Sequence, residues 1–203
     1  MYIAYFRNKD LATPAGDART GWYVASPAPR AVFSGRLVDQ VTERDSFYSF
    51  FSGEAVRSRA DSTPFEMWMD TLTTAIAPPA LRIGVHINPT DSVVDEMRNL
   101  FLVAVVYEDS FGAPGLHGDT IFAPIARAVV TDTWGVPLSL RFGSEFDTTL
   151  ETTLGEWETS RLGVAAFVQD TSTKDILQAT VIRRIRQQKV EDRQRQLTLE
   201  VRK

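Results

Sequence analysis

The sequence predicts an α+β protein in which a small mixed N-terminal part precedes an antiparallel β-sandwich. Three observations predict this class. Thr13 followed by Pro14 has the form of a helix start, and two apolar runs joined by a short turn come after it. From residue 63 onward, β-type runs recur between Pro, Gly, Asn and Asp at spacings typical of a sandwich. We therefore expect the boundary between the two parts near residues 62–64.

The N-terminal part is predicted to contain four elements. MYIAYF at residues 1–6 is a short β-type run, and residues 13–23 form a short helix in spite of two glycines. The runs RAVF and RLVDQV are separated by Ser34-Gly35, which indicates a β-hairpin. Residues 43–60 are predicted to be an amphipathic helix, because their phenylalanines recur at i, i+3 and i+4.

The β part is predicted from alternation and turn residues. Residues 65–70 alternate apolar and polar side chains, and further strands are expected in ALRIGVHI, NLFLVAVVYED, IARAVVTDTW, PLSLRF, FDTTLETTL, LGVAAFVQD and DILQATVIRRI. Both faces of residues 164–169 are largely apolar, as expected of a strand buried in a sandwich. Asp170 to Thr173 supply side chains that bond their own backbone, so this hairpin closes the core. The alternating tail at 188–203 is predicted to be a terminal strand.

Charge is unevenly distributed along the chain. The formal net charge is −4, yet residues 182–203 carry eight Lys or Arg against three Asp or Glu and are +5, which leaves −9 for the rest. An acidic body argues against nucleic acid as the partner, since phosphate binding needs a basic surface. The basic arginines of the tail are candidate contacts for a protein partner: Arg183, Arg184, Arg186, Arg193 and Arg195.

The composition limits the chemistry. Apolar residues make up 43% and charged residues 24% of the 203 residues, as in ordinary globular proteins. The absence of cysteine excludes thiolate nucleophiles, disulfides and zinc–thiolate sites. No apolar run approaches the roughly 20 residues that span a bilayer, and the first ten residues show no signal-peptide pattern. We expect no cofactor.

Two histidines are the remaining candidates for catalysis or metal binding. His86 lies in a strand-like run, whereas His117 lies in the loop GAPGLHGDT beside Asp119. No nucleophile pattern accompanies them, so a polar loop is the preferred interpretation. Glu108 and Asp109 with Asp119 could bind calcium, but their spacing fits no EF-hand and they are interpreted as solvated loop acids.

Several stretches together resemble a known family. The strand end Tyr107-Glu108-Asp109, the strand containing Arg127 and the final AFVQD hairpin with ILQA are similar to the C-terminal β-domain of the twenty-eight-kilodalton outer-membrane protein family of Gram-negative bacteria. Upstream, GDARTGWYVASPAPRAVFSG is similar to a segment of that family's thioredoxin-like domain. The matching positions are Arg19, Tyr23, Pro29, Gly35, Arg127, Phe167, Gln169 and Asp170.

The resemblance implies a fold and a departure from it. Residues 1–62 would be a truncated thioredoxin-like α/β remnant, residues 63–187 an immunoglobulin-like antiparallel β-sandwich, and residues 188–203 a basic extension. The resemblance implies that Pro29 is the structural cis-proline that faces redox cysteines in such folds. Those cysteines are absent, and the strand and helix expected to carry them would precede Met1, so thiol–disulfide chemistry is not expected.

The resulting functional hypothesis is a noncatalytic envelope protein, periplasmic or associated with the outer membrane, that binds proteins or serves a structural role. One alternative is a fragment of a thioredoxin-like envelope redox protein whose Cys-x-x-Cys half lies upstream. Another is a structural subunit of a larger assembly. Loss of the first strand would leave unpaired backbone groups in the sheet. The remaining strands could pair directly with one another, or a protein partner or a second copy could cover the gap. Alternatively, the missing strand could be encoded upstream of Met1.

Overall fold

The N-terminal helix and hairpin have the positions that the sequence predicts. The computed structural model describes residues 13–23, 31–33, 35–38, 52–53, 56, 62–73, 79–114 and 120–185. Helix α1 spans Pro14–Trp22, where the Thr13 side chain accepts a hydrogen bond from the amide of Gly16 at 3.0 Å and proline occupies the first turn. Strands β1 (Ala31–Phe33) and β2 (Arg36–Val38) pair antiparallel across the predicted Ser34-Gly35 turn.

A three-stranded antiparallel sheet, here called the small sheet, has the order β3-β4-β8. It consists of β3 (Phe65–Thr73), β4 (Ala80–Pro89) and β8 (Phe146–Thr153). The predicted alternation of β3 is confirmed, since its polar residues from Glu66 to Asp70 are exposed while Phe65 is fully buried. Because β4 is central, its side chains face neighbours from both other strands.

A second antiparallel sheet, the large sheet, has the order β10-β9-β5-β6, and β7 also pairs with β5. Its strands are β5 (Leu100–Pro114), β6 (Thr120–Val129), β7 (Val136–Pro137), β9 (Leu162–Asp170) and β10 (Ile176–Ile182). Short 3-10 helices at Ser92–Glu96 and Thr159–Arg161 complete the connections.

The two sheets share one hydrophobic core. Alternate residues of β4 pack against alternate residues of β5 and β9, and nearly all of them are fully buried: Leu81, Ile83, Val85, Ile87, Leu102, Ala104, Val106, Val164, Ala166 and Val168. The opposite face of the large sheet carries a second cluster around Val103, Val105 and Ala126. Strand β9 is thus buried on both faces, as its sequence predicts.

Several strand predictions are wrong in extent. β6 begins and ends earlier than the predicted run IARAVVTDTW, because the chain turns between Asp132 and Gly135. β5 continues past Asp109 to Pro114, because its far end pairs with β6 alone and two register shifts bend it there. PLSLRF forms only the end of β7 and a single bridge between Arg141 and Ser144, although Leu140 is buried. The predicted strand at 1–6, Pro29, almost all of the predicted helix at 43–60 and the tail from 186 onward lie outside the described residues.

Candidate functional site

Arg19 is the centre of a buried hydrogen-bond network between helix α1 and the large sheet. Its side chain is 1% exposed. One terminal nitrogen donates to the Thr133 carbonyl at 2.9 Å, and the other donates to Gln169 Oε1 at 2.7 Å and to the Tyr23 hydroxyl at 3.3 Å. Its Nε has no hydrogen-bond partner among the described residues. The guanidinium also lies 5.5 Å from the centre of the Phe167 ring, within the range of cation–π attraction.

Gln169 and Tyr23 close this network. The Gln169 amide nitrogen donates to the Tyr23 hydroxyl at 2.5 Å and to the Lys174 carbonyl at 2.7 Å. Arg19, Trp22 and Tyr23 lie three and four residues apart, so the helix presents them on one side. Each polar group of Gln169 therefore meets a partner of suitable type, which removes the cost of burying it.

Lys174 joins the end of the helix to the hairpin of β9 and β10. Its ammonium donates to the Trp22 carbonyl at 2.7 Å and lies 5.3 Å from the centre of that indole ring. A cation next to the last carbonyls of a helix is favourable because it opposes the helix dipole. The Trp22 ring also meets Trp134 edge-on at 5.6 Å, so the loop after β6 belongs to the same assembly.

Gly35 brings the β1–β2 turn against the same hairpin. Its φ is +86°, and a Cβ placed there would overlap the Lys174 carbonyl oxygen. On the hairpin itself, the Asp170 carboxylate accepts from the Ser172 amide at 2.7 Å, which confirms the predicted self-bonded turn. We call the set formed by Arg19, Tyr23, Gly35, Phe167, Gln169, Asp170 and Lys174 the junction.

The junction unites six of the eight residues that carry the sequence resemblance. Of the other two, Arg127 lies apart and Pro29 is outside the described residues. Arg127 binds Glu108, with its Nη2 at 2.6 Å and its Nε at 2.8 Å from the same carboxylate oxygen. Glu108 is only 3% exposed, so its interpretation as a solvated loop acid is wrong. It belongs to a strand and to a buried ion pair.

The outward face of the small sheet carries an exposed set of polar and aromatic side chains that sequence reasoning did not assemble. His86 in β4 pairs with Trp68 in β3 on one side and with Asp147 in β8 on the other. The imidazole and indole rings stack with centroids 5.2 Å apart and planes within 8°. We call this surface the small-sheet face; its outward residues are Glu66, Trp68, Asp70, Leu72, Arg82, Gly84, His86, Asp147, Thr149 and Glu151.

Both ring nitrogens of His86 face carboxylates. Nδ1 lies 2.6 Å from an Asp147 oxygen and Nε2 lies 3.1 Å from an Asp70 oxygen. Gly84 makes the second contact possible, since a Cβ there would come within 2.7 Å of the Asp70 carboxylate. The hydrogen bonds to Asp70 and to Asp147 raise the pKa of His86 above 6.5, because only the imidazolium donates from both nitrogens.

The two sites differ in what they can do. At the centre of the junction Arg19 and Gln169 are closed to solvent, so their hydrogen bonds serve to hold segments together. On the small-sheet face, the side chains of Asp70 and Asp147 are 73% and 61% exposed, so a partner can reach them. Within the described ranges, no group of three or more His, Asp or Glu is placed to hold a metal ion.

The remaining predicted site residues stand apart from both places. Arg183 and Arg184, two of the candidate partner contacts, are exposed just after β10. Arg186, Arg193 and Arg195 are outside the described residues, as are His117 and Asp119. The signal that could have revealed the small-sheet face was the run of polar residues at alternate positions of β3, β4 and β8. Assembling it required the register of three strands, which no local pattern specifies.

Comparison with known proteins shows similarity at the level of fold. No family model matches the chain, and no curated protein matches it. Among solved structures, HBP35 of Porphyromonas gingivalis is similar over 66% of this chain, with a TM-score of 0.55 and 16% sequence identity.

A second similar structure is a domain of the outer membrane lipoprotein Omp28 from Porphyromonas gingivalis. The match covers 64% of this chain and 93% of that domain, with a TM-score of 0.46 and 12% identity. This chain covers 46% of HBP35 and so spans about half the length of that protein. The likeness to HBP35, at 16% identity, supports the expected resemblance at the level of fold alone. In the described part of the chain, no helix is both long and apolar enough to cross a membrane.

Proposed function

We propose that this protein is a noncatalytic binding or structural protein of the bacterial envelope, periplasmic or associated with the outer membrane, that works through protein–protein contacts. The observation that carries the proposal is that Arg19 and Gln169 of the junction are buried, whereas the carboxylates of the small-sheet face are exposed. The envelope location rests on the sequence resemblance, and the fold similarity to HBP35 is compatible with it.

The junction supports a structural role for the residues of the resemblance. A catalytic group needs access to a substrate, whereas Arg19 and Gln169 are each 1% exposed and hydrogen-bonded to one another. A buried hydrogen-bond network of this kind favours one arrangement of the segments it joins. The network therefore holds helix α1 against the large sheet through Arg19 and Gln169.

The small-sheet face supports binding of another protein. It combines an indole that is 43% exposed with accessible carboxylates on a three-stranded surface. Exposed tryptophan is enriched at protein interfaces because it offers a large contact area at low entropic cost.

Site-specific crosslinking tests the binding role. A photoreactive side chain is placed at Thr149, next to Gly84 on the small-sheet face, or at Ser172 in the β9–β10 turn as the control. With envelope extract of the source organism, we expect a discrete adduct from position 149 and none from position 172. Equal labelling at both positions, or none at 149, contradicts binding through this face.

The noncatalytic part of the proposal is tested with the two histidines. We expect no turnover of ester, peptide or glycoside substrates that depends on His117 or His86. A turnover that disappears in either His117→Ala or His86→Ala, with the fold retained, overturns it. Light scattering over a wide range of concentration identifies the alternative in which the partner is a second copy.

A further inference from the structure

We propose that the small-sheet face binds a cationic protein segment, whose lysine or arginine side chain lies between Asp70 and Asp147 with its stem on Trp68. This inference rests on the proposed binding function and specifies the chemistry of the partner. Its starting point is that two exposed carboxylates already converge on one cation, the His86 imidazolium, at 3.1 and 2.6 Å.

The charges on the face favour a positive partner. Four carboxylates point outward, from Glu66 and Asp70 on β3 and from Asp147 and Glu151 on β8. On β4, Arg82 is committed to Glu151 at 3.0 Å, which leaves His86 as the other basic group of the face. With His86 neutral the face therefore carries a formal charge of −3, and opposite charge steers and selects partners at such a surface.

Trp68 supplies the apolar half of the contact. Its ring is stacked on His86, and its side chain is 43% exposed. Leu72, 41% exposed, lies on the same outward side of β3. Long basic side chains cover such apolar surface with their methylene groups and bring their charge over an indole ring. The carboxylate pair thus matches the charged group of an arginine or lysine side chain, and the indole matches its methylene stem.

Protonation of His86 competes with the partner. The imidazolium neutralises one charge and satisfies both carboxylates, whereas neutral imidazole can donate to only one of them and presents a lone pair to the other. The groups facing His86 are Asp70 and Trp68 from β3 and Asp147 from β8, with Arg82 on its own strand. Binding of a cation is accordingly stronger above the pKa of His86 than below it.

A peptide titration on the intact chain tests the inference. The probe is a capped seven-residue peptide of alternating serine and arginine, and the control probe carries citrulline in place of arginine. Binding is followed at low ionic strength by the indole N–H resonances of the four tryptophans, with Trp68→Phe identifying the signal of Trp68. We expect the arginine peptide to shift that signal and the citrulline peptide to leave it unchanged.

Variants locate the site. Asp70→Asn with Asp147→Asn is expected to weaken arginine-peptide binding about tenfold, because each exposed ion pair contributes a few-fold. The matched control removes two charges elsewhere, at Glu96 and Asp132, both exposed and outside the face. The wild type is expected to bind about threefold more tightly at pH 8 than at pH 6, and His86→Gln should lose this dependence.

The outcomes separate this inference from the proposed function. Equal weakening by the two double variants, or binding of the citrulline peptide with the same affinity, overturns the cationic partner. If the crosslink from Thr149 nevertheless forms, binding through the face stands while its cationic specificity falls. Dimerisation that Asp70→Asn with Asp147→Asn abolishes identifies a second copy as the occupant and also overturns the inference.

Discussion

The junction and the small-sheet face contain similar chemical groups and use them in opposite ways. At the junction, a buried guanidinium and a buried amide are bonded to one another and to a half-buried phenol. On the face, an imidazole and two carboxylates are bonded to one another while still open to solvent. Burial makes the first set indispensable for stability, since an orphaned buried group keeps its full desolvation cost. Water screens and replaces the contacts of the second set.

The largest effect on stability is expected at Arg19. Arg19→Met removes the donor to Gln169 and Thr133 and leaves a buried and a half-buried acceptor without it, so we expect the free energy of unfolding to fall by about 4 kcal/mol. Urea unfolding measures this value. The control is Arg184→Met, an exposed arginine, which should change stability by less than about 0.5 kcal/mol. Equal effects at the two positions would mean that the network contributes nothing beyond a generic arginine.

Gly35 gives the next largest effect and has a matched control. Gly35→Ala places a methyl group against the Lys174 carbonyl, and we expect a loss of about 2 to 3 kcal/mol from clash and strain together. Gly143 also has a positive φ, of +73°, but a Cβ there meets nothing within 4 Å. Gly143→Ala should therefore cost about 1 kcal/mol, the strain alone. Thermal unfolding of the pair isolates the clash, and equal losses would contradict the close approach.

The pKa of His86 tests the hydrogen bonds of the small-sheet face. We expect the imidazole to titrate with a midpoint above 6.5, and Asp70→Asn to lower that midpoint because its hydrogen bond is the larger cause of the shift. NMR titration of the ring protons measures both values, with Asp132→Asn as the control that should leave the midpoint unchanged. A midpoint at or below 6.5 in the wild type would contradict the double hydrogen bond.

The raised pKa of His86 determines how the free energy of unfolding depends on pH. The folded state holds the proton more tightly than the unfolded chain, so the contribution of His86 is fully present below about pH 6.5. It is lost as the pH rises through the higher pKa of the folded state. The difference in unfolding free energy between wild type and His86→Gln should therefore decrease as the pH rises from 5.5 to 8.5. An increase over that range would contradict the sign.

The smallest effect is expected for the stability of the face variant. Asp70→Asn with Asp147→Asn should change the unfolding free energy by less than about 1 kcal/mol, because both carboxylates are largely exposed. Denaturant unfolding at pH 8 measures this change. A loss as large as that of Arg19→Met would show that the face, like the junction, is part of what holds the fold together.

Much of the local structure was predictable because its causes are local. Thr13 starts a helix because its side chain accepts a backbone hydrogen bond, and Pro14 fits the first turn because it has no amide hydrogen to leave unpaired. Gly35 turns the chain because glycine adopts positive φ freely. The alternation of β3 reflects one buried and one wet face, and the doubly apolar β9 reflects burial on both. None of these requires knowledge of distant residues.

The sites were not predictable in the same way, because each depends on residues that are distant in sequence. Nothing in the neighbourhood of Gln169 indicates that it receives a guanidinium from position 19. Glu108 looked solvated because its partner Arg127 belongs to another strand. His86 acquires its two carboxylates only when β3 and β8 align on either side of β4. The resemblance identified junction positions but not their contacts.

The bond between Arg19 and Gln169 also constrains the order in which the chain can fold. It joins residues 150 positions apart, so helix α1 has no complete docking surface until the last hairpin exists. At about 5 to 20 residues per second of synthesis, roughly 8 to 30 seconds separate the appearance of the two side chains. Nine helical residues are too few to persist alone in water over that interval. Helix α1 is therefore among the last of the described elements to become fixed, after the β-sheet core behind it.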